Sequence, residues 1–203
     1  MVRKTKRTKT TKAPRTTKAT KNTKTTKASK DTKKVKGVDT RQDDAREVLE
    51  DTLMRAVDGA GAHAQTHAVF EGLDWTLAGE RPGGAPHSAW QLLNHLLFWN
   101  EWGVRWLSGG KPAPPAHADG CWPMATGPAS RDEWDAAVAR LGAALDGMKA
   151  GVRDADPRAA SGSKSRLDMV MAIGLHSSYH AGQVAFLRRQ LGAWPPPSGG
   201  LTG

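Results

Sequence analysis

The sequence predicts an all-α fold, a four-helix bundle of up-down-down-up topology, and three observations carry that expectation. Within residues 39–203, four segments place apolar residues at the three- and four-residue spacing of a buried helical stripe. Polar capping signals mark where several of these segments start. A long Gly- and Pro-rich connection, Gly109 to Ala129, lies between the second and third. Short loops make neighbouring helices antiparallel, whereas a connection of this length can cross the whole bundle, so helices two and three are expected to run parallel.

The first helix is expected from about Thr40 to Leu73, with Val48, Leu49, Leu53, Ala56 and Val57 as its stripe and a kink or break at Gly59 and Gly61. The second starts at Ser88, where Ser88 and Gln91 form a capping-box pattern, and runs to about Leu107. The third starts at Ser130, again with a capping box (Ser130, Glu133), and carries the seam Trp134, Val138, Leu141, Leu145, Met148 and Val152. The fourth runs from about Ser165 to Leu191, with Gly192 placed to end it and Pro195 to Pro197 beyond.

Charge divides the chain in two. Residues 1–38 hold fifteen Lys and Arg against one acid, Asp31, a net of +14, and the remaining 15 basic and 19 acidic residues leave residues 39–203 at −4. A basic residue recurs at every third position from Arg3 to Lys36, mostly among threonines, so the tail buries no apolar surface and is expected to be disordered. A hydrophobic content of 38% over the whole chain agrees with one folded domain plus such a tail. The lone Cys121 cannot form an internal disulfide, which points to a reducing interior such as a bacterial cytoplasm. No apolar run is long enough for a membrane span, and the basic N-terminus lacks the apolar core of a secretory signal.

His176 and His180 stand four residues apart, on one helix face, together with Ile173, Val184, Leu187 and Leu191. His95 shares an inward face of the second helix with Leu92, Trp99 and Trp102. A lone HxxxH pair is a weak signal, since two core or surface histidines produce the same spacing. Three imidazoles facing one bundle interior are costly unless something binds them, and a divalent metal accepts neutral nitrogens while leaving positions open for water or substrate.

His63 and His67 form a second HxxxH pair. His63 would reach the height of His95 if helix one were continuous, as an outer-sphere group or proton shuttle, or else as a rim residue; His67 reads as surface. Gln183 and Asn94 either orient a histidine ligand or fill a polar gap in the core. Trp90, Trp99, Trp102 and Trp106 crowd helix two as bundle core or dimer surface, and a homodimer is expected. Cys121 reads as incidental, His87 as preceding a helix cap, and His117 as a loop residue.

The segment HSSYHAGQVAFLRRQLGAWPP (His176 to Pro196) resembles the last helix of DinB-like proteins, and PHSAWQLLNHLLFWNEW (Pro86 to Trp102) resembles their second helix. Trp122-Pro123, Trp134 and the segment AGAHAQTHAVFEGL before a Gly-Glu-Arg-Pro turn also fit, so the resemblance covers roughly residues 43 to 197 and leaves the tail out. It implies that His95, His176 and His180 ligate a metal, with nickel, zinc and iron the metals associated with the family. It also implies a low-molecular-weight thiol, such as bacillithiol or mycothiol, as a cosubstrate of some members.

Three functions share such a site: a metal-dependent transferase adding a thiol to a small electrophile, a non-catalytic stress-response protein with a structural or sensing metal, and a metal-dependent hydrolase. The tail reads either as an arm that touches nucleic-acid phosphates without reading sequence, placing the protein at the nucleoid, or as an inert solvated segment or an upstream start wrongly chosen. On the first of these, the full chain binds duplex DNA with a log-affinity against log-salt slope of about −0.9 per phosphate neutralised. Deleting residues 1–36 then abolishes binding and leaves fold and metal content unchanged; equal binding by both forms would rule the arm out.

Overall fold

The computed structural model describes residues 37–200 except residue 162, and the side chains of 37–40 and 161 are not described. Residues 1–36 of the expected tail therefore lie outside the described residues. Four long helices make the fold: α1 (Gly37–Asp58), α2 (Ala89–Leu107), α3 (Arg131–Arg153) and α4 (Arg166–Gln190). No helix among the described residues is long and apolar enough to cross a membrane. A two-residue antiparallel hairpin, β1 (Ala160–Ser161) and β2 (Lys164–Ser165), precedes α4 and pairs Ala160 with Ser165. Nothing in the spacing of that segment had marked a strand.

Each helix start follows its local chemistry. The Ser88 hydroxyl accepts from the Gln91 N–H while the Gln91 side chain accepts from the Ser88 N–H, so both halves of the expected box are made. At α3 only one half forms as expected. Ser130 Oγ accepts from the Glu133 N–H, but the Glu133 carboxylate reaches past it to the Ala129 N–H. Ser165 and Asp168 form a full box at α4, and Gly192, at φ +68°, follows its C-terminus.

The first helix is shorter than expected. Gly59 and Gly61 take φ of +77° and +83°, which no helical residue adopts, so α1 stops at Asp58 and the chain to Leu73 runs through turns and one 3-10 turn, Ala68–Phe70. The Asp58 carboxylate anchors that end, accepting from Lys149 Nζ of α3, Gln65 Nε2 and the Ala60 N–H. Val48, expected in the stripe, is 65% exposed. Its nine-residue separation from Val57 is two and a half turns, so it lies on the opposite face of α1, with the exposed Thr52 and Arg55, while Leu49 packs against the core and Leu53 and Val57 are the buried apolar residues.

Residue pairs fix the helix directions. Along α2 and α3, Trp90 meets Trp134, Glu101 meets Arg140, Val104 faces Gly147 and Leu107 faces Gly151, so the two helices advance together. Along α2 and α4 the order reverses: Leu107 accepts a hydrogen bond from Arg166, Gly103 faces Ile173, and His95 meets His176. Hence α2 runs parallel to α3 and antiparallel to α4, and the chain from Ser108 to Ser130 carries the crossover. The core these helices enclose includes Phe70, Leu92, Leu93, Leu96, Leu141, Met148 and Val184, each at most 1% exposed.

Candidate metal centre

Three imidazoles converge where α2 crosses α4. His95 comes from the middle of α2, and His176 and His180 from successive turns of α4, where one turn separates residues four apart. His176 Nε2 lies 3.0 Å from His95 Nε2 and 3.0 Å from His180 Nε2. His95 and His180 are buried and His176 half-buried. Just above them, Asn100 Nδ2 of α2 donates to Ser177 Oγ of α4 at 3.1 Å and ties the two helices in register.

The other ring nitrogen decides what each Nε2 offers. His95 Nδ1 lies 3.2 Å from the Cys121 carbonyl, which can only accept, so Nδ1 carries the proton and Nε2 keeps its lone pair. His180 Nδ1 lies 2.7 Å from Gln183 Oε1, with the same consequence. Gln183 is thus an orienting partner, one of the two roles open to it in the sequence. Burial lowers the pKa of His95 and of His176 to about 4, the latter helped by His180, and desolvation also lowers that of His180. All three rings are neutral at physiological pH.

These features fit a divalent transition metal. Imidazole nitrogens bind zinc at about 2.0–2.1 Å, and two such ligands at right angles stand about 3 Å apart, the separation seen here. Each of two rings is held from behind by an acceptor on Nδ1, the arrangement that orients histidine ligands in metal sites. The three rings form a group able to hold a metal ion, with their ligand atoms within 4.8 Å of one another.

Three neighbours had no role assigned from the sequence, Trp122 entering only through the family resemblance. The indole of Trp122 stacks on His95 with centroids 3.8 Å apart and planes 7° apart, and its other face stacks on His87 at 3.8 Å and 9°. His87, which reads in sequence as a residue before a cap, is therefore the outer layer of a stack that fixes His95. Cys121 contributes its carbonyl; its thiol is buried and lies 3.1 Å from the Ala118 carbonyl. The Trp122 stack and the Cys121 carbonyl join His95 of α2 to the crossover, and no helical periodicity reports them.

His63 stands elsewhere. Because α1 ends at Asp58, His63 sits in the turn beyond it, with Nε2 2.8 Å from Ser178 Oγ and Nδ1 2.7 Å from the Ala64 carbonyl. It packs against Gly59, where a Cβ would meet its ring at 2.0 Å. It reaches the expected height, beside Ser178 between His176 and His180 on α4, but a turn and not a continuous helix brings it there, and its hydrogen bonds go to Ser178 and Ala64 and not to the three imidazoles. His67 lies 3.4 Å from Glu71 at the surface, and Asn94 Nδ2 donates to the Trp90 carbonyl of its own helix. Tyr179 is 65% exposed, its ring 5.0 Å from that of His180.

A cleft of about 990 Å³ opens onto the cluster at His95 and His176. Its walls come from α2, α4, the crossover and the hairpin before α4. The family model of the DinB superfamily matches residues 60–184, more than half of the chain. No curated protein and no solved structure matches significantly.

The depressed histidines set a pH dependence for the metal-free protein. An unfolded histidine titrates near 6.5, whereas His95 and His176 hold out to about 4 in the fold. Between those values the unfolded chain binds protons that the folded chain does not, so stability present above 6.5 is lost as pH falls toward 4. Urea titrations of chelator-treated protein across this window should show the decline, and a His95→Gln, His176→Gln variant should show less of it. Identical slopes for both proteins would contradict the burial argument.

Proposed function

Because this chain belongs to the DinB superfamily, we propose that His95, His176 and His180 bind one divalent ion, nickel, zinc or iron, and that the protein transfers a low-molecular-weight thiol to a small electrophile. The observation that carries the reading is the open cleft reaching His95 and His176, because a purely structural metal site is closed by its protein ligands. A bound divalent ion supplies positive charge that lowers the pKa of a thiol and favours thiolate at neutral pH.

The chain's own residues do the positioning. The Cys121 carbonyl and Gln183 Oε1 hold protons on the Nδ1 atoms of His95 and His180, so both Nε2 lone pairs face the same point. Trp122 covers one face of the His95 ring and keeps water from it. Among the described residues no Asp or Glu lines the cleft, so an attacking water would have His117 of the crossover and no carboxylate as its base. The thiol proton leaves to solvent through the cleft mouth. The basic tail, on this reading, holds the enzyme near nucleic acid in a bacterial cytoplasm.

Metal analysis of the purified protein should find about one ion per chain, and a His176→Ala, His180→Ala variant should lose it. With cobalt in the site, a simple thiol should produce a sulfur-to-cobalt charge-transfer band that vanishes in His95→Ala. Full stoichiometry in the double variant would overturn the metal site. A cobalt spectrum indifferent to millimolar thiol would overturn the transferase while leaving the metal in place.

A further inference from the structure

The cleft beside the histidines is walled on one side by Trp99, Trp102 and Trp106, a tryptophan ladder at three- and four-residue spacing on α2. Met169, Ala172 and Ile173 of α4 face it across the gap. The one donor of Trp102 is already used, Nε1 donating to the Ala113 carbonyl at 3.2 Å, so this side chain has only ring carbon left to offer. Lys164 is the one formally charged residue among the described lining residues, contributed by β2. After the hydrogen bonds from Ser165, its ammonium also lowers the pKa of the Asp168 carboxyl at the start of α4, outside the lining.

We infer that this cleft binds a planar aromatic molecule carrying a negative charge, its ring between the tryptophan ladder and α4 and its anion toward Lys164. The inference rests on the proposed transferase in that such a molecule would be its electrophile, although binding itself needs only the cleft. Ring against ring is the contact tryptophan walls reward most, through both buried area and stacking geometry. A sugar or peptide would bring many hydroxyls or amides into a lining whose polar side chains are few, and each unpaired group costs affinity. Indole faces also attract organic cations, but recognition of that kind gains from a carboxylate in the wall, and the one formal charge in the described lining is the positive charge of Lys164. The volume, about 990 Å³, admits a two-ring ligand with room for a thiol beside the histidines.

Calorimetric titration of the full chain, both chelator-treated and zinc-loaded, with 2-naphthoate, neutral 2-naphthylmethanol and cationic 2-naphthylmethylammonium tests this. The carboxylate should bind tightest and the ammonium weakest in both forms. Lys164→Met should weaken naphthoate about threefold and leave the alcohol unchanged, as expected for one solvent-exposed charge pair. Trp106→Ala should weaken naphthoate and alcohol alike, by about tenfold. Ala172→Trp, which fills the gap, should do the same, with circular dichroism confirming that both variants fold. Ammonium binding as tight as naphthoate, or naphthoate binding untouched by both wall variants, would overturn the inference. Because the metal-free chain is among the forms measured, this result is independent of the cobalt–thiol band, and either reading can fail without the other.

Discussion

Three imidazoles, two buried and one half-buried, in the seam between α2 and α4 impose the constraint on which the surrounding structure depends. A buried ring nitrogen without a partner costs free energy, and three of them within hydrogen-bonding distance cannot all present lone pairs to one another without cost. Their Nε2 atoms are nevertheless 3.0 Å apart in two of the pairs, and two of the Nδ1 atoms are spoken for by Cys121 and Gln183. A proton on His176 Nε2 can be donated to the facing lone pairs, and a cation at the same point would take all three nitrogens in its place. Burial that keeps the rings neutral also keeps them ready to ligate, so desolvation serves the site as much as the fold.

The crossover follows from the same constraint. Two successive helices that run parallel, as α2 and α3 do, need a long connection, and here that connection passes over the histidines. It delivers the Cys121 carbonyl behind His95, the Trp122 indole against its face and the proline-rich edge of the cleft. Topology and site are therefore coupled: a shorter loop would have forced α3 antiparallel to α2 and removed the group that fixes the His95 tautomer. Arg188 plays a comparable part at the other end of α4. Its buried guanidinium donates to the carbonyls of Val69, Glu71 and Ala193 and so holds the chain that follows α1 in place without a second helix there.

Periodicity and capping made α2, α3 and α4 legible to within a residue or so, because each has an apolar stripe and a serine at its start. The inward phase of His95, His176 and His180 was legible for the same reason, since helical spacing alone brings the α4 pair onto one face and the Leu92 register brings His95 inward. The first helix was harder. Its apolar residues continue past Gly59, and periodicity cannot tell a helix from a set of turns that buries Ala68, Val69 and Phe70 by other means. Val48 faces solvent because it stands half a turn out of phase with Val57, so the stripe in fact runs through Leu49, Leu53, Ala56 and Val57. The Trp122 stack, the Cys121 carbonyl and the hairpin that brings Lys164 to the cleft are contacts between distant segments, and no local pattern encodes them.

The central claim is that three histidine nitrogens, and no cysteine, hold the metal. X-ray absorption at the edge of the bound metal tests it most directly. The account predicts about three imidazole nitrogens, at about 2.0–2.1 Å if the ion is zinc, with only light oxygen or nitrogen atoms completing the shell in the absence of thiol. A sulfur scatterer near 2.3 Å in thiol-free protein, which only Cys121 or a methionine would supply, or a shell with fewer than two imidazoles, would contradict it.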